Sequence, residues 1–132
     1  MGRIVCSTRG QLEAEISRRV VQFQKEHVGR GPKETRARIF DDVVFVRLTG
    51  VLTPAEERLA SDGDGAHLIK EMRLRLMDGS RPALNDLVEE TTGKRLISLH
   101  TGLSTRTGEQ VVVFVLDGSL EPDLAGGDRR GV

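Results

Sequence analysis

Two apolar runs rich in β-branched residues constrain this chain most: Val43–Thr49 and Val111–Leu116. The first is apolar on both faces except at Arg47; in the second, Val111-Val112-Val113-Phe114-Val115-Leu116, nothing polar intervenes. Runs of this length and composition read as strands in the middle of a sheet. Each has a neighbour of lower hydrophobicity. Thr35–Phe40 alternates, with Ala37 and Ile39 on one face and Arg36 and Arg38 on the other. Only Asp41-Asp42 separates it from Val43, which predicts a β-hairpin without the usual glycine. Arg95–His100 is the second neighbour, joined to Val111–Asp117 by a connection at Thr101–Gln110 rich in Thr, Ser and Gly. That connection reads equally as a binding loop or a long hairpin link.

Helical periodicity fills the rest. Leu12, Ile16, Val20, Phe23 and His27 form one stripe over residues 11–28, ended by Gly29, and Pro32 prevents its resumption. Thr53-Pro54-Ala55-Glu56 carries a capping box for a short helix. Ser61–Gly65 reads as a turn. A longer helix then starts near Ala66, with Leu68, Met72 and Leu76 as its stripe, resuming at Ala83 or Leu84, Leu87, Val88 and Thr91. Gly79 and Pro82 interrupt it, and the continuous apolar phase predicts one kinked helix. Gly93 stops it. The expected fold class is α+β in the order α-β-β-α-α-β-β, a four-stranded, mainly antiparallel sheet with helices packed on one face. A single domain is expected over 11–118, with tails at 1–10 and 119–132.

Composition narrows the function classes. The 132 residues hold twenty basic and twenty acidic side chains, so bulk charge draws the protein to neither nucleic acid nor membrane. Residues 1–40 hold nine Lys/Arg against four Asp/Glu, a net of +5, balanced by −5 in the remainder. With four Phe and no Trp or Tyr there is no aromatic platform for bases. Cys6 stands alone, which excludes an intramolecular disulfide and a multi-cysteine metal site. No apolar run is long enough to span a bilayer, and Met1–Gly10 lacks a signal-peptide core, so a cytoplasmic location without direct membrane insertion is expected.

No catalytic constellation, metal site or cofactor motif emerges. His27 lies on a helix stripe and reads as a packed or interface residue, His67 as an exposed one; no His-Glu-x-x-His spacing exists. His100 ends a predicted strand beside a polar loop, a common setting for function. Gly29-Arg30-Gly31-Pro32-Lys33 can offer backbone N–H groups and a guanidinium to an anion, although a plain helix stop explains it too, and the helix's negative end opposes an anion there. Arg36 and Arg38 extend that basic surface, and Arg106 sits in the later connection. The candidate anion or ligand residues are therefore Gly29, Arg30, Gly31, Arg36, Arg38, His100 and Arg106.

Beyond these patterns, the succession Gly-Arg-Gly-Pro, Ala37-Arg38-Ile39, Asp41-Asp42-Val43-Val44 and Leu48-Thr49-Gly50-Val51-Leu52-Thr53-Pro54-Ala55-Glu56 resembles a bacterial family of small domains, the MpsC family. Thr92-Gly93-Lys94-Arg95, Ser104-Thr105-Arg106-Thr107-Gly108 and Val113-Phe114-Val115-Leu116 fit the same pattern, so the resemblance covers about residues 10–117. The family takes its label from a sodium-translocating, membrane-potential-generating system implicated in inorganic-carbon supply. The resemblance implies a soluble accessory or regulatory component, because this chain is too polar to translocate ions itself. Two functions stay open. One is a non-enzymatic module that works by protein–protein contact, as a homodimer or with a protein of that membrane system. The other is a small-anion or nucleotide-binding sensor.

Overall fold

The computed structural model describes residues 8–124 and is α+β in the expected order. Helix α1 (Arg9–His27) leads into the hairpin β1 (Glu34–Phe40) and β2 (Val43–Thr49). Helices α2 (Pro54–Leu59), α3 (Gly63–Gly79) and α4 (Arg81–Thr92) follow, then β3 (Leu96–Ser104) and β4 (Glu109–Leu116). The four strands lie in the order β1-β2-β4-β3, every neighbouring pair antiparallel. The two apolar runs are the central strands, as their composition predicts. Met1–Ser7, with Cys6, and residues 125–132 lie outside the described residues.

The core lies on one side of the sheet. Ala37 and Ile39 of β1, Val44, Val46 and Leu48 of β2, and Val112, Phe114 and Leu116 of β4 are buried there. Register aligns them in rows across the strands: Ile39 opposite Val44, Val44 opposite Phe114, Val46 opposite Val112. Leu12, Ile16, Val20 and Phe23 of α1, and Leu84, Leu87 and Val88 of α4, close the core from above. The α1 stripe falls where its spacing puts it, except that His27 at its end is exposed and stacks on Phe23, ring centroids 4.8 Å apart.

The start of α1 is closed by a capping box: the Gln11 amide donates to Thr8 Oγ1 at 3.1 Å and the Thr8 amide to Gln11 Oε1 at 3.2 Å. The box expected at α2 is also present, with Glu56 N–H on Thr53 Oγ1 and Thr53 N–H on Glu56 Oε1. The hairpin needs no glycine because Asp41 itself takes a left-handed φ of +58°, which aspartate tolerates better than most residues.

Four expectations are corrected. The long helical region is two helices: the chain breaks at Ser80, with φ −100° and ψ 15°, and Pro82 sits in the first turn of α4. Helix α3 starts at Gly63, capped by Asp62, inside what reads as a turn. Its buried stripe is Gly65, Ile69, Arg73 and Met77, one residue out of phase with Leu68, Met72 and Leu76; Leu68 and Met72 are exposed. The phase follows from Arg73, whose guanidinium is buried against Val51 and Glu56, and from Gly65, which meets α2. A Cβ on Gly65 would lie 1.7 Å from the Leu59 carbonyl oxygen, so only glycine allows this approach. Gly65→Ala is expected to destabilise the protein by about 2 kcal/mol or more, read as a lowered midpoint in urea unfolding.

The third correction is at Thr101–Gln110. β3 continues through it to Ser104 and β4 begins at Glu109, leaving a four-residue turn. Leu99, Thr101 and Leu103 keep the strand alternation, facing the helices, so the polar composition conceals an ordinary edge strand. The fourth concerns the chain after Gly118. Residues 119–124 form a strap across the β1–β2 turn: Leu120 is 1% exposed, its amide donates to the Asp41 carbonyl at 2.9 Å, and a 3-10 turn spans Glu121–Asp123. Glu121 accepts from the Asp41 amide at 2.8 Å and makes a two-pronged ion pair with the buried Arg9. Lys94 and Asp123 pin the far end at 3.7 Å.

Candidate interaction surface

Alternation along two-sided apolar strands has a consequence for the opposite face of the sheet. While Val44, Val46, Val112 and Phe114 point into the core, Val43, Phe45, Val111, Val113 and Val115 point the other way. They form a contiguous apolar field over β2 and β4, because Val43 stands opposite Val115, and Phe45 opposite Val113. Each is partly exposed, and none belongs to the buried core. Phe40, 44% exposed, and Ile97, 55% exposed, extend the field at either side. Among the described residues the helices all pack on the other face, so this field is covered only by its own neighbouring side chains.

Charge rims the field. Arg36 pairs with Glu34 at 3.6 Å, and Arg47 pairs with Glu109 across β2 and β4. Arg38 turns back and donates to the carbonyl of Ala37 at 2.9 Å. The rim is thus largely neutralised within one copy.

The edges of the sheet are closed more firmly than its face. On β1 the outward Ile39 amide donates to Glu13 at 2.9 Å, and its carbonyl accepts from Arg9 at 3.3 Å. Helix side chains therefore occupy both edge-facing groups of Ile39, which a further strand would need there. On β3 the register slips between Leu96 and Ser98, a bulge at Ile97, whose carbonyl accepts from Arg81 at 3.3 Å.

The candidate residues named from sequence separate into three places. Arg36, Arg38 and His100 lie on the open face. Arg38, Phe45, Val113 and His100 make a single row across the sheet. Arg38 and His100 stand at its two ends, three strand spacings or about 14 Å apart. His100 is mid-strand and exposed, where the sequence suggests a strand end. Gly29, Arg30 and Gly31 form the stop of α1: Gly29 has φ +122° and its amide donates to the Gln24 carbonyl at 2.9 Å. Arg106 tips the β3–β4 turn, held by Ser104, whose carbonyl accepts from Gly108 N–H at 2.9 Å.

Sequence reasoning misses a different polar cluster. Arg73, on α3, donates from Nη2 to the Val51 carbonyl at 2.8 Å and to Glu56 Oε1 at 2.6 Å. Burial pushes the Glu56 carboxyl up, but hydrogen bonds from Arg73 and Thr53 and the guanidinium charge together hold it below the usual glutamate range. Arg73, Lys70, Gln110 and Thr101 line a cleft of about 310 Å³ between α3 and β3. An arginine at a buried helix position, four residues after Ile69, is its only trace in the sequence.

Among the described residues no helix is long and apolar enough to cross a membrane. The family model for MpsC, described as a Na+-translocating membrane potential-generating system, matches residues 8–118. The uncharacterized protein YbcI of Bacillus subtilis (strain 168) is 38% identical over 117 residues, spanning 89% of this chain and 94% of the relative. No solved structure matches. Family match and relative extend over nearly the whole folded unit, strap excepted for the former, and the chain belongs to the MpsC family.

Proposed function

We propose that this protein acts by contact, as a non-enzymatic accessory or regulatory module, and that its open sheet face pairs with a second copy. The carrying observation is the apolar field of Val43, Phe45, Val111, Val113 and Val115 on a face with no helix over it. A second copy suits this face for three reasons. The area is right: four strands about 4.8 Å apart and about six residues long give a plane of about 20 by 20 Å, before the relief of its side chains. That plane of about 400 Å² is about half of the roughly 800 Å² per partner of a standard interface, the relief of the side chains and the strand-flanking turns supplying the remainder. The charge is tolerable, since Arg36 and Arg47 are already paired at the rim and Arg38, bonded to the Ala37 carbonyl, is the one guanidinium of the three with no carboxylate among the described ion pairs. The alternative, strand addition, is opposed at β1 by Glu13 and Arg9. The family description motivates a protein of a membrane ion-moving system as the dimer's further partner.

Sedimentation equilibrium tests the pairing. The expected result is twice the protomer mass at about 10 μM, and for Phe45→Glu a monomer with the far-UV circular dichroism of the wild type and a thermal midpoint that no longer rises with protein concentration. Placing a carboxylate in the centre of the field is expected to weaken pairing at least about 100-fold, or about 2.7 kcal/mol. A wild-type protein that stays monomeric at about 100 μM removes the proposal.

A further inference from the structure

We propose that the two-fold axis of the sheet-face pair runs along the strands, so that Arg38 of each copy meets His100 of the other, and that protonation of His100 loosens the pair. This rests on the face-to-face pairing and adds its register and its control by pH.

The row across the open face sets the starting point. Arg38, Phe45, Val113 and His100 stand in line, with the two bases at the ends and the apolar side chains between them. Sheets that pack aligned keep their strands within about 30° of one another. Two two-fold axes through the centre of the row lie in the plane of such a contact. An axis across the strands sets each strand on its own copy, Arg38 on Arg38 and His100 on His100. An axis along the strands sets β1 on β3 and β2 on β4, so that Arg38 meets His100 and Phe45 meets Val113.

Charge chooses between the two. Arg38 has no carboxylate; its Nη1 donates to the Ala37 carbonyl at 2.9 Å, and its other N–H groups have no acceptor among the described residues. His100 is exposed and makes no hydrogen bond or ion pair among the described residues. The axis across the strands brings two uncompensated guanidinium groups together, and like charges in a contact oppose association. The axis along the strands instead offers each guanidinium the lone pair of a neutral imidazole. Stacked sheets lie about 10 Å apart, a gap that an arginine and a histidine reaching from opposite faces span.

That contact requires a neutral His100. Histidine is the side chain whose charge ordinarily changes between pH 5 and 8. Nothing beside His100 favours its proton. Val111, Val113 and Val115 on β4 and Ser98 and Gly102 on β3 are uncharged. The charged groups that the helices bring against β3 are bases: Arg81, on the Ile97 carbonyl at 3.3 Å, and Lys70, beside Thr101 and Gly102. The carboxylates of β4 and its end, Glu109 with Arg47 and Asp117 with Arg95, lie four residues from Val113 in either direction, or about 13 Å. From the second copy, His100 faces Arg38, flanked by Phe40 and by Arg36, whose charge Glu34 already balances. Pairing is therefore complete where the imidazole is neutral and is lost as pH falls and two protons bind per dimer.

The test is sedimentation equilibrium of the full-length protein at pH 7.5 and pH 5.5. At about fivefold for each imidazole, the dimer of the wild type is expected to have a Kd about 25-fold higher at pH 5.5. His100→Gln is expected to pair at both values with less than about a threefold change, although His27 and His67 are still present in it. Arg38→Glu sets a carboxylate against His100 of the second copy and is expected to invert the dependence, pairing about threefold or more tightly at pH 5.5 than at pH 7.5. A wild type that pairs equally at both values, or an Arg38→Glu variant that keeps the direction of the wild type, overturns this contact and leaves the pairing standing. A wild type that is monomeric at both values up to about 100 μM overturns the contact and the pairing together.

Discussion

A chain ending at Gly118 is expected to unfold about 15 °C below the full-length protein. The residues removed include Leu120, 1% exposed, whose burial alone contributes about 2–3 kcal/mol. They also include Glu121, the partner of Arg9. Arg9 is 7% exposed in the intact fold, and removing Glu121 takes away both prongs of its ion pair, for about another 2 kcal/mol after allowing for the partial exposure of Glu121. A loss of about 4 kcal/mol shifts the midpoint of a domain this size by the stated amount. Differential scanning calorimetry of the two chains measures it. A shift under about 3 °C would mean that the strap is the dispensable tail its composition suggests.

The second large effect is at Glu56. Glu56→Gln keeps the shape of the side chain but leaves the Arg73 guanidinium, 6% exposed, without its counter-charge. Breaking a buried pair from one side costs about 3 kcal/mol. The amide also weakens the return bond to the Thr53 N–H, so the start of α2 loosens too. The effect has a pH signature. Because the folded Glu56 carboxyl titrates below its unfolded value, its contribution is fully present above about pH 4.3 and is lost as pH falls through the lower folded value. The stability gap between wild type and Glu56→Gln, measured by urea unfolding, is therefore about 3 kcal/mol at pH 7 and closes in acid. A gap unchanged between pH 7 and pH 3 would refute the charge-pair explanation.

These two sites mark where the sequence is legible and where it is not. Strands β2 and β4 are read correctly because β-branched residues declare themselves locally, and the caps of α2 and the stop of α1 because Thr53, Glu56 and Gly29 act within one turn of their own chain. Helix α3 is misphased because its most buried polar position, Arg73, is stabilised by a glutamate seventeen residues earlier and a carbonyl twenty-two residues earlier. Periodicity treats such an arginine as solvent-facing and assigns the face to Leu68 and Met72 instead. The strap fails the same way: Leu120 and Glu121 sit among glycines and acids, and their partners lie at the other end of the chain.

The candidate site divides similarly. Arg36, Arg38 and His100 do share a surface, which strand alternation and register determine. Yet Arg38 and His100 occupy opposite ends of a row, and Arg30 and Arg106 lie in turns at element ends, so a one-line basic motif becomes a rim around apolar side chains. The field itself was present in the sequence as two-sided apolar strands. Its meaning depends on all the helices choosing one face, a tertiary outcome. The Arg73–Gln110 cleft joins residues thirty-seven positions apart in the chain by number, and no local pattern connects them.

The sheet-face pairing is tested most directly by isotope-filtered NOE spectroscopy on a mixture of labelled and unlabelled protein. Cross-peaks between copies are predicted from the Phe45 ring to the methyl groups of Val111, Val113 and Val115. Cross-peaks confined to Leu68 and Met72 on α3, or none between copies at a concentration where wild type is dimeric by sedimentation, would contradict it.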